Sequence, residues 1–243
     1  MSLPRFHVPE AAPGARVTLP EHSAHHAREV LRLRAGARVR VFDGVGREFD
    51  AVLDAVTRRS VEARLAAEVA ARPESPLTLA LAMAPLKGDR MELVIQKATE
   101  LGVAEIWPVL TARTDAAARP ALAGARQQRW EKVASGAAEQ CGRAVVPHLA
   151  GATTLPEMLA APWEGRRVVL VAAAGAPPLR RLPAPAPTRL LLLVGPAGGW
   201  EPTETERLLA HGFEPASLGP RTLRAETAAI AAITAAQLLW GDL

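Results

Sequence analysis

Two short apolar runs near the end of the chain each stop at a Gly-Pro pair. The first, LLLLV at residues 190–194, ends at Gly195-Pro196, and such a continuous run is typical of a strand buried on both faces of a parallel sheet. The second, at residues 213–218, ends at Gly219-Pro220. Between them, TETERLLAHG at residues 203–212 predicts a helix with acidic residues in its first turn and a glycine at its end. We therefore expect two neighbouring strand ends at the sheet edge where open α/β folds bind ligands.

The same alternation of strand and helix patterns runs through residues 73–243. Short apolar runs predict strands at residues 79–83, 106–110 and 168–173. Helical periodicity predicts helices at residues 89–101, 126–142 and 225–240, and Asp89 followed by Glu92 resembles a capping box at the start of the first. Alternating units of this kind predict the α/β class, with a mostly parallel sheet and helices on both of its faces.

The first 72 residues have a different pattern. RVRVFD, REFDAVLDAV and SVEARLAAEV alternate or cluster β-forming residues around turn signals such as Asp43-Gly44, and they predict a small, compact β-barrel. The polar, proline-containing segment ARPESPLT at residues 71–78 is the predicted joint. The chain is thus expected to have two domains, at residues 1–72 and 73–243.

Composition narrows the class of protein. The 243 residues are 49% hydrophobic and the net charge is +4. The basic residues are nearly all arginine, since lysine occurs only at positions 87, 97 and 132. Arginine binds phosphates bidentately and stacks on bases, which suits RNA, although codon usage in a GC-rich genome explains the same bias. The single cysteine, Cys141, excludes an internal disulfide framework and a multi-cysteine zinc site. No apolar run approaches the roughly 20 residues of a membrane span and no signal sequence is present, so we expect a cytoplasmic protein.

The segment EHSAHHAREVLRLRAG at residues 21–36 predicts a short helix with three histidines and three arginines. No carboxylate or cysteine set completes a metal site around these histidines, and we predict no metal. The segment is either a solvated helix face or a contact surface for RNA, because arginine and histidine side chains bind phosphates and stack on bases.

Several motifs together resemble one known family. LVGPAGG at residues 193–199, SLGPRTLRAETAAIAAITAAQ at residues 217–237 and the terminal WGDL resemble the C-terminal signature of the ribosomal RNA small-subunit methyltransferase E family of the SPOUT superfamily. PRFHVPE, VLRLRAGARVRVFDG, QKATELGV and EQCGR extend the resemblance over nearly the whole chain, in the family order. The chain departs from the family at one notable position, because Ala197 stands where the family usually has the Glu of a GPEGG loop.

The resemblance implies both fold and function. It implies a SPOUT-type α/β domain with a C-terminal trefoil knot, a preceding PUA-like β-barrel that recognises RNA, and a homodimer. It also implies methylation of N3 of a uridine in 16S rRNA, on the 30S subunit, with S-adenosylmethionine as the cofactor. The matching positions make the following residues candidates to bind the cofactor: Val194, Gly195, Gly199, Leu218, Gly219 and Leu223. The candidates for RNA contact are Arg5, His26, Arg32 and Arg34.

Methyl transfer to N3 requires in-line positioning of methyl and nitrogen and removal of the N3 proton, for which a carboxylate is the natural acceptor. Because Ala197 replaces the family Glu, either that Glu is not essential, or Glu201 or Glu226 takes its place, or the protein is impaired. Glu226 is alternatively a first-turn acid that stabilises the last helix. Arg221 and Arg224 are candidates to hold the nucleotide phosphate or to stabilise charge on a uracil oxygen, with a salt bridge to an acid such as Glu226 as the structural alternative.

Two further functions stay open at this point. One is a related SPOUT methyltransferase that acts on tRNA or 23S rRNA. The other is a non-catalytic RNA-binding or ribosome-assembly protein, which Ala197 favours. A nucleotide hydrolase is not expected, because the Gly-rich loop lacks the GK[ST] ending that grips phosphate and magnesium.

Overall fold

The computed structural model describes residues 3–115, 124–172, 175–182, 186 and 188–243. Contacts divide the chain into two compact units: unit 1 comprises Met1–Glu74 and Lys132–Val146, and unit 2 comprises Ser75–Glu131 and Pro147–Leu243. The domain boundary at residues 72–73 stays a prediction, since the division by contacts also assigns residues 132–146 to unit 1.

Unit 1 is mainly β-structure. Its elements before residue 75 are β1 (Arg5–His7), β2 (Arg16–Thr18), α1 (Glu21–His25), β3 (Arg38–Phe42), β4 (Glu48–Val56) and β5 (Val61–Val69). The strands pair in the order β1-β3-β4-β5-β2, with β1 parallel to β3 and the other pairs antiparallel. The three predicted strands thus correspond to β3, β4 and β5, and the predicted turn is closed by Asp43, whose Oδ1 accepts from the backbone N–H groups of Val45 and Arg47 at 2.9 and 3.0 Å.

One apolar core holds unit 1 together. It takes alternate residues from the strands and the buried side of α1, including Phe6, Val41, Phe49 and Leu53, each fully buried. The alternation follows from the period of two along a strand, which sends successive side chains to opposite faces. The helical segment predicted at residues 21–36 is shorter than expected: α1 passes into a π-helical segment at His26–Val30.

Unit 2 alternates strands and helices, as predicted. Its elements, together with α3, are β6 (Thr78–Met83), α2 (Arg90–Glu100), β7 (Val103–Leu110), α3 (Ala125–Cys141), β8 (His148–Leu149), β9 (Thr153–Thr154), α4 (Leu155–Ala160), β10 (Arg166–Leu170), β11 (Arg189–Val194), α5 (Pro202–Ala210), β12 (Glu214–Ala216) and α6 (Ala225–Trp240). The last residue of the strand predicted at 168–173 lies outside the described residues. The short elements β8, β9 and α4 were not predicted.

The strands of unit 2 pair in the order β12-β10-β11-β6-β7-β8, with β9 beside the end of β7, and the registers are parallel throughout the described residues. Ala80 and Ala82 of β6 and Leu191 and Leu193 of β11 face a core that includes α4 and α5. The alternate residues of the same strands face the other side, where α6 packs against β6, β11 and α2. Helices therefore cover both faces of a parallel sheet, and the predicted α/β class is confirmed.

Two details differ from the sequence interpretation or stay untested. The Asp89 side chain makes no capping hydrogen bond, so the capping box predicted for α2 is wrong; Glu92 is instead engaged by Arg129, whose Nη2 donates to its Oε2 at 2.9 Å. The trefoil knot implied by the resemblance stays a prediction.

Among the described helices, none is long and apolar enough to cross a membrane.

Candidate active site

A cavity of about 670 Å³ lies in unit 2 at the carboxyl ends of three adjacent parallel strands, β12, β10 and β11. Its wall is built from residues 170–172 after β10, residues 194–197 after β11, and residues 218–219 after β12. This is the position where open α/β sheets bind ligands, and the volume falls within the roughly 300–1,000 Å³ that small-molecule sites occupy.

The structure brings the candidate residues of unit 2 together in this cavity. All six candidates for cofactor binding line it: Val194, Gly195, Gly199, Leu218, Gly219 and Leu223. The three catalytic candidates line it as well: Arg221, Arg224 and Glu226. Their individual roles stay predictions.

Packing and backbone conformation account for the glycines in the cavity wall. A Cβ added at Gly195 would lie 2.8 Å from the indole of Trp200, so no larger residue fits unless the ring moves. Gly199 and Gly219 have φ angles of +75° and +105°, in the region that side chains with a Cβ disfavour. The sequence alone had suggested close approach of a ligand or another backbone, and for Gly195 the close neighbour is the Trp200 side chain.

The loop after β11 is fastened on two sides. Trp200 Nε1 donates to the carbonyl oxygen of Leu170, 3.0 Å away, which ties the loop to the end of β10. Arg113 Nη1 donates to the carbonyl oxygen of Gly198 at 2.8 Å, and its Nε donates to Glu201 Oε1 at 2.7 Å. The backbone of the cavity wall is therefore held in a defined position before any ligand binds.

The charged groups of the cavity consist of three arginines and one carboxylate, Glu226. Arg221 and Arg224 are exposed, and within the described residues neither side chain makes an ion pair or a hydrogen bond. Glu226, in the first turn of α6, is only 8% exposed, and its Oε2 has no hydrogen-bond partner among the described residues. The cation nearest to it is Arg90, with Nη1 at 4.0 Å from Oε2. The salt bridge from Arg221 or Arg224 to Glu226, the structural alternative, is not observed in this part of the chain.

The two carboxylates considered as replacements for the family Glu have different surroundings. Glu201 is the N-cap residue of α5 and its carboxylate pairs with Arg113; it does not belong to the cavity wall. Ala197 lines the cavity but contributes only a methyl group. Glu226 is therefore the carboxylate that the described cavity wall offers for proton removal.

Comparison with known proteins agrees with this geometry. The RNA methyltransferase domain family matches residues 73–237, and the RNA methyltransferase PUA domain family matches residues 19–66. Ribosomal RNA small subunit methyltransferase E from Synechocystis is 35% identical over 93% of this chain and 74% of its own length, and the Bacillus subtilis protein of that name is 31% identical over 96% and 94%. The chain belongs to the ribosomal RNA small subunit methyltransferase E family. The resemblance found in its motifs is thereby confirmed.

Two solved structures of similar proteins hold the cofactor. A protein from Legionella pneumophila, solved in complex with the bound cofactor SAM, is 36% identical over 100% of both chains with a TM-score of 0.92. The ribosomal RNA small subunit methyltransferase E of Neisseria gonorrhoeae, bound to S-adenosyl methionine, is 35% identical over 99% of both chains with a TM-score of 0.88. The family fold is therefore shared over the whole chain.

Within unit 1, the family segments PRFHVPE and EQCGR are bound to each other through Arg5. Its Nε and Nη2 donate to Glu48 at 2.9 and 3.1 Å, and its Nη1 and Nη2 donate to the carbonyl oxygens of Ala138 and Arg143 at 2.9 and 3.1 Å. Its guanidinium carbon also lies 4.7 Å from the centroid of the Phe42 ring. These contacts favour a structural role for Arg5 over the RNA contact that the sequence suggested.

A part-buried polar network continues between the same two family segments. Glu139 Oε1 accepts from the backbone N–H of His7 at 2.9 Å and from Ser23 Oγ at 2.8 Å. Burial raises the pKa of the Glu139 carboxyl group, and burial lowers the pKa of the His7 imidazole, which lies 2.9 Å from Ser135 Oγ. The network links these two segments within unit 1, which favours a structural role for the motif residues.

The remaining RNA candidates, His26, Arg32 and Arg34, are exposed on unit 1. His26 begins the π-helical segment, and Arg32 has a φ of +52°, which is uncommon for a residue other than glycine. Within the described residues, none of these three side chains makes a hydrogen bond or an ion pair, so all three are free to contact a ligand. Among the same residues, no group of three or more His, Cys, Asp or Glu side chains is placed to hold a metal ion.

Sequence reasoning missed Arg90 and Trp200, which also line the cavity. Arg90 begins α2 after the buried strand β6, which is hydrogen-bonded to β11. The rule that ligands bind beyond the carboxyl ends of parallel strands would have pointed to it. Trp200 directly follows the Gly-rich loop. Its role could not be predicted from the sequence, because it depends on the contact of its ring with Gly195.

Proposed function

We propose that this protein is an S-adenosylmethionine-dependent methyltransferase that modifies N3 of a uridine in 16S rRNA, on the 30S subunit. The observation that carries the proposal is the cavity at the ends of β10, β11 and β12, which contains a buried carboxylate, Glu226, whose Oε2 makes no hydrogen bond among the described residues. Membership of the ribosomal RNA small subunit methyltransferase E family supports the choice of reaction and of RNA.

The cavity wall suits S-adenosylmethionine, which supplies the methyl group from a sulfonium. The backbone of residues 194–199 and 218–223 is available for the polar edges of adenine and ribose, while Leu218 and Leu223 offer apolar contact to the ring system. Because Trp200 and Arg113 fix the loop after β11, little conformational freedom is lost when the cofactor binds.

Glu226 is the proposed acceptor of the N3 proton. Glu226 lines the cavity, its Oε2 makes no hydrogen bond among the described residues, and the N3–H of uridine is a hydrogen-bond donor to a carboxylate. Arg221 and Arg224, which line the same cavity, are assigned to the nucleotide phosphate and to the charge that develops on a uracil oxygen.

The test of the proposed function is a methyl-transfer assay with labelled S-adenosylmethionine and 30S subunits that lack the modification, followed by mapping of the methylated base. Transfer to N3 of one 16S uridine is expected. Transfer to tRNA or 23S rRNA instead would indicate a related enzyme with another target. Cofactor binding without transfer to any RNA would indicate a non-catalytic RNA-binding protein.

Replacing Arg224 with Ala is expected to lower the methyl-transfer rate by about 10²–10³-fold, because a donor to the developing charge is removed. Cofactor affinity should change little, and isothermal calorimetry with S-adenosylmethionine measures it. Arg207→Ala, an exposed position on α5 outside the cavity wall, is the matched control and should leave the rate unchanged. Equal losses of rate and cofactor affinity in Arg224→Ala would show that the residue supports the cavity rather than the reaction.

The exposed side chains of His26, Arg32 and Arg34 are the proposed RNA contacts of unit 1. Affinity for 16S rRNA should therefore fall as salt rises, because phosphate contacts release counterions. The variant Arg32→Ala/Arg34→Ala should reduce the slope of log affinity against log salt by about 2. A variant with Arg16→Ala and Arg64→Ala is the control, because both of these arginines pair with Asp54. A slope that is unchanged in the first variant would remove this segment from the RNA surface.

We also propose a cytoplasmic homodimer with a trefoil knot in the C-terminal part of unit 2. The support for a dimer in this chain is the exposed leucines at the end of α6 and at the chain end, Leu238, Leu239 and Leu243, whose burial by a second copy would be favourable.

A further inference from the structure

Arg90 faces Glu226 without hydrogen bonding to it. The side chain of Arg90 is 43% exposed, that of Glu226 is 11% exposed, and Nη1 lies 4.0 Å from Oε2. This separation exceeds that of a hydrogen bond, yet the two charges still attract each other. The Glu226 carboxylate therefore has a cation beside it, and its Oε2 still accepts no hydrogen bond among the described residues.

The other charged groups around Arg90 are engaged elsewhere. Lys87 pairs with Asp115 at 2.6 Å. Asp89 and Glu92 both contact Arg129, at 3.5 and 2.7 Å. No acid other than Glu226 is paired with Arg90 within the described residues.

A carboxylate that accepts a proton needs a lone pair that no other donor uses, and an ionised carboxylate has about four lone-pair sites. The 4.0 Å between Nη1 of Arg90 and Oε2 of Glu226 leaves Oε2 without a hydrogen bond among the described residues, while the attraction between the two opposite charges orients the carboxylate.

We propose that Arg90 is a positioning residue that orients the Glu226 carboxylate at the cavity wall, so that this carboxylate accepts the N3 proton of the target uridine. This inference rests on the proposed function for the identity of the proton donor. The pairing of Arg90 with Glu226 does not depend on it, and it is tested separately in the ligand-free protein.

The first test is a double-mutant cycle on thermal unfolding of the full chain without ligands. Arg90→Gln should lower the melting temperature by about 2–4 °C, because it leaves a buried carboxylate without its cation. The same change made together with Glu226→Gln should have almost no further effect, because no charge is then left unpaired. Equal shifts of melting temperature in both backgrounds would show that the two residues are not coupled and would overturn the proposal.

The second test measures single-turnover methyl transfer to 30S subunits at saturating cofactor. Arg90→Gln should lower the rate by about 10–100-fold, less than the roughly 10²–10⁴-fold expected from loss of the base itself, and Arg90→Lys should restore most of the rate because the charge is kept. Arg129→Gln, which removes a neighbouring arginine that pairs outside the cavity with Glu92, is the matched control and should leave the rate unchanged.

Measuring the affinities for S-adenosylmethionine and for RNA distinguishes a positioning role of Arg90 from direct contact between Arg90 and a ligand. Both affinities should stay within about 2-fold of wild type in Arg90→Gln, since a positioning residue acts on the rate. A large loss of either affinity with an unchanged saturated rate would make Arg90 a ligand contact and overturn the proposal. If the wild-type protein transfers no methyl group, the proposed function fails, and the unfolding cycle still decides whether Arg90 and Glu226 are coupled.

Discussion

Replacing Glu226 with Gln is expected to lower methyl transfer by about 10²–10⁴-fold, the contribution typical of a positioned general base. The rate falls because the amide does not take up a proton. The cavity keeps its shape because the amide has the size of the carboxyl group. The cofactor affinity measured by calorimetry should therefore be close to that of wild type. Single-turnover transfer to 30S subunits is the appropriate measurement, because it excludes product release.

Two further variants serve as controls for this expectation. Glu201→Gln alters the carboxylate that pairs with Arg113 outside the cavity wall, and it should reduce the rate by less than about 5-fold because Arg113 still donates to the carbonyl oxygen of Gly198 and exposed ion pairs contribute little. Ala197→Glu restores the residue usual in the family and tests whether that position supplies the base. If Glu226 is the base, Ala197→Glu should not rescue Glu226→Gln.

The structural interpretation of Glu226 predicts a different result. A first-turn acid stabilises its helix by about 0.3–1 kcal/mol. If Glu226 has only this structural role, Glu226→Gln should lower the melting temperature and leave the rate at saturating cofactor unchanged. Rescue of Glu226→Gln by Ala197→Glu would likewise exclude Glu226 as the base and would place that role at the family position.

Much of the fold was predictable because parallel α/β domains have strong patterns. The continuous apolar run before Gly195 marks a strand buried on both faces, and it became β11 in the middle of the sheet. By contrast, β8 and β9 have two residues each and carry no periodicity to detect. Helix α4 has only six residues, although its capping box of Thr154 and Glu157 was a signal available in the sequence.

The candidate site was predictable in position more than in chemistry. Strand ends and motifs located the residues of the cavity wall, but they did not distinguish Glu201 from Glu226 as the available carboxylate. That distinction depends on contacts between residues far apart in the chain: Arg113 engages Glu201, and Arg90 faces Glu226. Arg5 was predicted to contact RNA for the same reason: its partners are distant in the sequence. In the structure its side chain binds Glu48 and two carbonyl groups within unit 1.

The second large effect is expected from Gly195→Ala. The added Cβ would lie 2.8 Å from the Trp200 indole, closer than real Cβ contacts, and the atoms it meets belong to the rigid ring rather than to the end of a flexible side chain. The ring must move, which breaks its hydrogen bond to the carbonyl oxygen of Leu170 and displaces the loop between β11 and α5. Overpacking of this kind costs about 1–3 kcal/mol, so cofactor affinity measured by calorimetry should fall by roughly 5–150-fold if the strain is relieved by displacing the loop.

Gly136→Ala makes the same chemical change where a Cβ meets no atom within 4 Å, on helix α3. Because alanine is favoured over glycine in a helix by about 1 kcal/mol, this control should raise the melting temperature and leave cofactor affinity unchanged. In a Trp200→Leu background the ring that the new methyl group strikes is absent, so adding Gly195→Ala to Trp200→Leu should cause almost no further loss of affinity. Wild-type affinity in Gly195→Ala alone would mean that the loop after β11 adapts freely, and the fixed wall formed by Trp200 would then not be a requirement for cofactor binding.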